Sequence, residues 1–518
     1  MLKATQALFA VALLLFVTGC SSQAPVVTSA PSNPQSALVP VGLTVTDDPP
    51  AGVVVLFFQL SITGASFSPG NVSLLSSTHS IPVNVSQLQA DSAFLGSTNV
   101  AAGTYNSLTL TFADPELTIF NGTGAAIGNC AKNAVCQLTP ATTPLTLTFS
   151  SKPFPLTVAA NTPVALQLDI HLNKIIQSDL SVNMAAVNGV SVSQLPSFPA
   201  GRASSGLGRL FGTVQSLGTN QFTLQTAWGR TVSVDVNNST TYNFPANAVC
   251  GGLCNIACQG FGCLQVGDFL KVRVSLQSDG SLLASEVDYV EGPGQELYEG
   301  TIVSLNTAGA TTTMNLILQS AAAPTSSALA GGVFATVTVP SAGVTYSVDS
   351  GSFTMPSVPT MGSFTSAASL LAGQEVTITP NGSVTSSPGS AGSLGQPTLT
   401  FTANSIALET GQFTGTVTGV DASTSSFALS PLPSFFLNFL NAPMTPLNPV
   451  SLSVYATSQT EYENLNPDSI AALTANSVVS VQGWLFPYTG AAPACVPCAV
   501  TYGVVVANSV RGQTSGWF

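Results

Sequence analysis

Charge is what this chain has least of: Asp, Glu, Lys and Arg together supply 6% of its 518 residues, against about a quarter in an ordinary globular domain. Only ten residues are Lys or Arg, and from Val274 to Val510 there is no Lys, Arg or His. A nucleic-acid groove needs clustered cations to displace counterions from phosphates, so the composition argues against DNA or RNA as a partner. The net charge of −12 aids solubility and has no fold meaning. Histidine is equally scarce, at two residues, His79 and His171. Most acid–base and phosphoryl chemistry needs His, Lys or Arg, so the chain reads as a non-enzyme. One enzyme class passes that filter, a carbohydrate-active enzyme using a carboxylate pair, since it needs only two Asp or Glu 5–10 Å apart. His171 and Asp169 share a strand face and can pair, but no G-x-S-x-G elbow accompanies them. A structural or solvated histidine is the plainer reading.

Long apolar runs are also missing beyond the N-terminus. Ala7–Val17 is apolar for 11 residues behind Lys3, too short to span a bilayer, which takes roughly 20 residues, but suited to a signal peptide. It ends in Val17-Thr18-Gly19-Cys20, which resembles the lipobox of bacterial lipoproteins. The resemblance implies cleavage between Gly19 and Cys20 and lipidation of Cys20. One acyl chain anchors marginally and several anchor firmly, so the expected location is the cell envelope, on the outer membrane, with the membrane held through lipid alone. Residues 1–19 are then the signal and 20–37 a Pro/Ser/Ala tether.

What is abundant is alternation. Val41–Thr46, Val53–Ile62, Leu108–Phe112, Pro163–Leu172 and Leu180–Val187 are apolar or alternating segments punctuated by Gly, Pro and Asn, which predicts a β-sandwich over 38–196. No long amphipathic helix interrupts them. The stretches Leu43–Pro50, Ile62–Gly64, Gly103–Tyr105 and Leu168–Asn173 resemble a family of exported bacterial domains, domain of unknown function 4382.

The chain then repeats. Gly212-Thr213-Val214, Gly300-Thr301-Ile302 and Gly415-Thr416-Val417 open three units over 208–292, 297–410 and 411–512. Each continues through an apolar strand, a strand leading to Tyr242, Tyr346 or Tyr462, and a closing apolar pair. The starts lie 88 and 115 residues apart, too irregular for a tight solenoid. Small β-barrels that remove exposed edges are the expected fold. Asp279-Gly280 marks a hairpin, and Asn466-Pro467-Asp468-Ser469 reads as a helix start capped by Asn466. The first unit resembles domain of unknown function 5666, through Leu264-Gln265-Val266-Gly267-Asp268 and Leu282–Val287. Neither resemblance implies an activity.

Apart from Cys20 there are eight cysteines: Cys130 and Cys136, the group Cys250, Cys254, Cys258 and Cys263, and the C-x-x-C of Cys495 and Cys498. In an oxidising envelope, local disulfides are the expected state. The spacing within the group of four does not suit a zinc ribbon. The C-x-x-C has no nearby cation or helix start to lower a thiol pKa. No metal or other cofactor is expected. Glu286, Asp288, Glu291, Glu296 and Glu299 cluster at a unit junction, read as a solvated edge rather than a Ca²⁺ site. Trp484, Phe486 and Tyr488 alternate on one strand face, which makes them either core or a platform for a ligand. The apolar insertion Pro431–Pro449 either packs on its own unit or marks a contact. The function expected is a lipid-anchored envelope protein with a binding, adhesion or structural role, its partner a glycan or an envelope protein.

Overall fold

Apolar residues alternating with Ser, Thr and Asn become strands nearly throughout the computed structural model. It describes residues 38–512 except 49–53, 76–80, 89–92, 122–124, 133, 144, 196–209, 227–230, 245–259, 278, 292–295, 308–310, 323–330, 388–397, 431–449 and 491–499. Among the described residues the one α-helix is Leu172–Ile175, and none is long and apolar enough to cross a membrane.

The N-terminal domain is a two-sheet sandwich. In one sheet Leu38–Asp48 runs parallel to Val164–His171 and antiparallel to Ala93–Ala101, with Val190–Gln194 on the outer edge. In the other, the long pair Val54–Ser68 and Ser107–Phe120 forms the spine. Inward residues of both sheets, among them Leu43, Phe58, Phe67, Phe112 and Leu166, share one core. Burying such side chains contributes roughly 1.5–3 kcal/mol each before conformational entropy is counted.

Three closed barrels follow. The first has strands Leu210–Leu217, Gln221–Thr226, Thr231–Asp235, Phe269–Leu276 and Leu282–Glu291. Three strands meander, the fourth pairs with the first, and the fifth pairs with the fourth and, in parallel, with the third. The second barrel repeats this with Leu297–Asn306, Thr311–Ala322, Phe334–Pro340, Glu375–Pro380 and Thr398–Glu409. The third does so with Gly411–Asp421, Ser426–Ser430, Val450–Tyr455, Val478–Pro487 and Val500–Gly512. Closure leaves no long edge for another chain to pair with.

The repeat motifs explain how each barrel closes. Beyond the Gly of Gly-Thr-Val or Gly-Thr-Ile the first strand carries a bulge, at Val214/Ser216, Ile302/Ser304 and Val417/Gly419. A bulge bends and coils a strand. The backbone groups exposed there are taken by the turn before the fourth strand. Val214 N–H donates to Asp268 O and Gly267 N–H to Val214 O, at 2.8 and 2.9 Å. Ile302 exchanges the same bonds with Gln374 and Gly373, and Val417 with Ser477 and Asn476. Gly267, Gly373 and Asn476 have φ of 99°, 88° and 73°, the left-handed region that favours Gly and Asn. The next side chain closes the turn on itself: Asp268, Gln374 and Ser477 accept from the N–H of Gln265, Leu371 and Thr474. Leu264, Leu370 and Leu473 plug each turn into its core. Leu-Gln-Val-Gly-Asp of the first unit thus has full structural counterparts where the sequence matches only in outline.

The tyrosine of each unit lies on a short extra strand, Thr241–Asn243, Thr345–Val348 or Glu461–Glu463, parallel to the fifth strand. The helix expected at Asn466 starts later. A 3-10 turn spans Ile470–Ala472, capped by Ser469, whose side chain accepts from Ala471 N–H; Asn466-Pro467 is a cis peptide.

Candidate functional site

The few charged side chains are not spread over the surface. Lys271 and Arg273 sit two residues apart on the fourth strand of the first barrel and so face the same way. Lys271, 3% exposed at its side chain, leaves its own barrel and bonds two carboxylates of the second, Glu409 and, at 3.0 Å, Asp349. Arg273 lies 3.6 Å from Glu286 of its own barrel and 3.7 Å from Glu461 of the third. These are the last two cations before Arg511, and both serve neighbouring barrels.

Burial dominates the titration here. Glu409 is raised to about 8 by desolvation and by the adjacent Asp349, in spite of the Lys271 ammonium. Glu375, its cross-strand neighbour, is pushed well above the carboxylate range by burial and by Glu299. Hydroxyls complete the network: Thr377 donates to Glu409 at 2.8 Å, Thr301 to Glu375 at 2.6 Å and Ser320 to Glu299 at 2.8 Å.

Residues 349–354 of the second barrel are where all three barrels meet. Asp349 Oδ2 accepts from Lys271 of the first, and its backbone O accepts from Trp484 Nε1 of the third at 2.8 Å. Ser352 N–H donates to Glu286 and Thr354 N–H to Gln459. Phe353 packs on Trp484 with ring centroids 4.9 Å apart.

Two neighbouring spaces open beside this segment. A groove of about 810 Å³ is lined by Asn220, Asn237, Asn238, Thr241, Tyr242 and Phe261, among others. Among the described residues that line it, none is charged. It shares Thr241 and Ser352 with a cleft of about 220 Å³ that also holds Arg273, Glu286, Phe353, Gln459 and Glu461. At the boundary Asn243 donates to both Glu286 and Asp288, at 2.8 and 2.7 Å. Tyr242, Phe244 and Tyr289 form an aromatic row, with centroids 6.5 and 5.5 Å apart.

The residues singled out from sequence fall differently. Trp484 and Phe486 are 0% and 3% exposed and join the core of the second barrel, so this face of the strand docks onto the neighbour and is no open platform. Tyr488 is half-buried. Glu286, Asp288 and Glu299 are buried and bonded, in place of the solvated edge expected of them; Glu296 meets the Tyr298 hydroxyl at 3.3 Å. Among the described residues no cluster of His, Cys, Asp and Glu is arranged to hold a metal. Asp169 and His171 pair at 3.7 Å. Cys130 and Cys136 form a disulfide, with Cα atoms 5.7 Å apart, and Cys263 is disulfide-bonded. Gly19, Cys20, His79, Cys250, Cys254, Cys258, the 431–449 insertion, Cys495 and Cys498 lie outside the described residues. Lys271, Arg273, Asp349, Glu409 and Glu461 were not expected to act together. The signal for them was the absence of any other cation over Val274–Val510.

The class defined by these observations is an all-β chain of one sandwich and three five-stranded Greek-key barrels, with the 1-2-3-5-4-1 strand order of OB-type barrels. Residues 39–185 match the family described as Domain of unknown function (DUF4382), and residues 211–288 match Domain of unknown function (DUF5666). No curated protein matches the chain. Among solved structures, the single-stranded DNA binding protein from Thermus aquaticus is 12% identical, covering 44% of this chain and 96% of its own, with a TM-score of 0.14. Drosophila Unr CSD456 is 11% identical, covering 59% and 98%, with a TM-score of 0.12. Similarity at that level carries no argument about this chain.

Proposed function

We propose that the protein is a non-enzymatic binding protein of the bacterial cell envelope, held there by lipid on Cys20, and that its groove takes a neutral glycan. The observation that supports this is the groove lining: amides and hydroxyls from Asn220, Asn237, Asn238 and Thr241, with Tyr242 and Phe261 as apolar faces and no charged side chain among the described lining residues. Amides offer a donor and an acceptor each, which matches the mixed donor–acceptor surface of a sugar, while ring faces stack on its C–H side.

Full-length protein titrated calorimetrically with cellohexaose, maltohexaose and chitohexaose tests the reading. We expect at least one hexaose to bind, and Tyr242→Ala to weaken it tenfold or more. Failure of all three to bind removes the glycan reading. Release of shortened oligosaccharide removes the non-enzymatic one. Metabolic labelling with a fatty acid is expected to mark the wild-type chain and not Cys20→Ser; equal labelling would overturn the anchor.

A further inference from the structure

We propose that Lys271 and Asp349 join as a side-chain amide, formed by loss of one water, which fastens the first barrel to the second by a covalent bond. The ion pair between them is the reactant. Nζ of Lys271 lies 3.0 Å from Oδ2 of Asp349, one bond away from the carbon it would attack, and the same nitrogen meets Oε2 of Glu409. An amine, a carboxyl and a proton carrier thus converge on one point, contributed by two domains.

Water ordinarily opposes such a bond, because it solvates the ions and hydrolyses the amide. Little of it reaches this point. Lys271 and Glu409 are each 3% exposed at their side chains, and the Phe211 ring lies 5.5 Å from Nζ. Burying two charges carries a desolvation cost that pairing offsets only in good geometry, whereas the amide carries no charge. Groups held at near-attack distance reach effective concentrations on the order of 10⁵–10⁸ M, far above that of water. The geometry is also held in place. Asp349 is fixed at both ends of its backbone, its N–H donating to Leu408 O at 2.9 Å and its O accepting from Trp484 Nε1 at 2.8 Å. Thr377 donates to Oε1 of Glu409 at 2.8 Å, which leaves Oε2 turned to the lysine.

The steps balance with no outside reagent. Glu409, raised to about 8 by burial and by Asp349, holds a proton at neutral pH, the poise that suits a general acid and base. It passes that proton to Asp349 and takes one from the Lys271 ammonium. The freed lone pair of Nζ then forms the bond to Cγ of Asp349. Glu409 relays a second proton from the nitrogen to a hydroxyl of Asp349, the C–O bond breaks, and water leaves. One ammonium and one carboxylate become a neutral amide and water, and Glu409 is returned as the acid. Asp349 is the carboxyl consumed because its side chain is 22% exposed, which gives the water an exit that Glu409 lacks.

Full-length protein, purified and reduced, is weighed by mass spectrometry and mapped by chymotryptic digestion. The wild type is expected to be lighter than its composition requires by one water, with the fragment holding Lys271 still joined to the fragment holding Asp349. Lys271→Arg is expected to show its full mass, any lipid and N-terminal processing cancelling in the comparison. Glu409→Gln, which keeps the shape of the proton carrier without the acid, is expected to yield at least tenfold less joined fragment. Where either variant fails to fold, the wild-type map decides alone. Separate wild-type fragments of full mass overturn the bond. Water lost elsewhere, in a link to Glu409 or as a succinimide at Asp279-Gly280, overturns it too. Undiminished joining in folded Glu409→Gln overturns the proton relay.

Discussion

At the scale of single residues, Lys271 carries more than any other side chain. Taking two or three charges out of water costs several kcal/mol each, recovered only by good pairing. Breaking such a pair is therefore worse than replacing it. Lys271→Met is expected to lower unfolding stability by about 3–5 kcal/mol, read by urea denaturation. Adding Glu409→Leu to Lys271→Met is expected to recover part of that loss, because the buried carboxyl left without its partner goes with the cation. The same site gives a pH dependence. The Glu409 carboxyl is raised from 4.5 to about 8 in the fold, so the fold binds a proton that the unfolded chain releases. Its stabilising contribution is complete below about 4.5 and is lost as pH rises through about 8. The melting temperature is expected to fall over that window, and Glu409→Gln to flatten that part of the slope in calorimetry. Residue by residue, the sequence disclosed little of this. Glu375 and Glu409 sit in runs that alternate like any other strand, and only the third dimension brings Lys271 to Glu409 across a separation of 138 residues.

At the scale of elements, the bulge and its partner turn are the unit of repetition. A Cβ on Gly300 would meet Ile317 O at 2.6 Å, and one on Gly212 would meet Gln225 O at 2.6 Å. Backbone carbonyls in a closed barrel have nowhere to go. Gly300→Ala is expected to cost about 1–3 kcal/mol as an overpacking defect, measured by thermal or urea unfolding. Here the sequence was legible. Gly-Thr-Val, the Tyr-bearing strand and the Asp279-Gly280 hairpin all mark real elements, because each depends on local backbone needs. The Asn466 start misled for a local reason as well: Ser469 offers a hydroxyl acceptor nearer the turn, and capping goes to the residue whose side chain meets the free N–H. The alternation of Trp484, Phe486 and Tyr488 was also real. What periodicity cannot say is whether the second face of a strand meets water or another domain.

At the scale of the whole molecule, the domains share cores. Leu56, Phe57 and Phe120 of the sandwich join Val303, Ile317 and the third barrel in one cluster, and Trp484, Phe486 and Val506 complete the second. Phe94 and Ala165 of the sandwich join the first barrel. Trp484→Ala is expected to cost about 3–5 kcal/mol and to split calorimetric unfolding of the two C-terminal barrels into separate transitions; a single transition at lower temperature would show the seam is held by other contacts. Domain count and class could be read from the chain, since they follow from repetition and period. Mutual docking could not, since it depends on surfaces that look like ordinary strand faces.

The placement of the lysine also sets an order in time. Lys271 precedes Asp349 by 78 residues and Glu409 by 138, and domains fold largely from the N-terminus as they are made. When the second barrel emerges, the cation that its interior needs is already waiting on a finished strand. A circular permutant that places the second barrel ahead of the first must pass through a stage with those carboxyl groups lacking their Lys271 partner. The sequence of barrels along the chain is thus an assembly instruction, written in the position of one ammonium group.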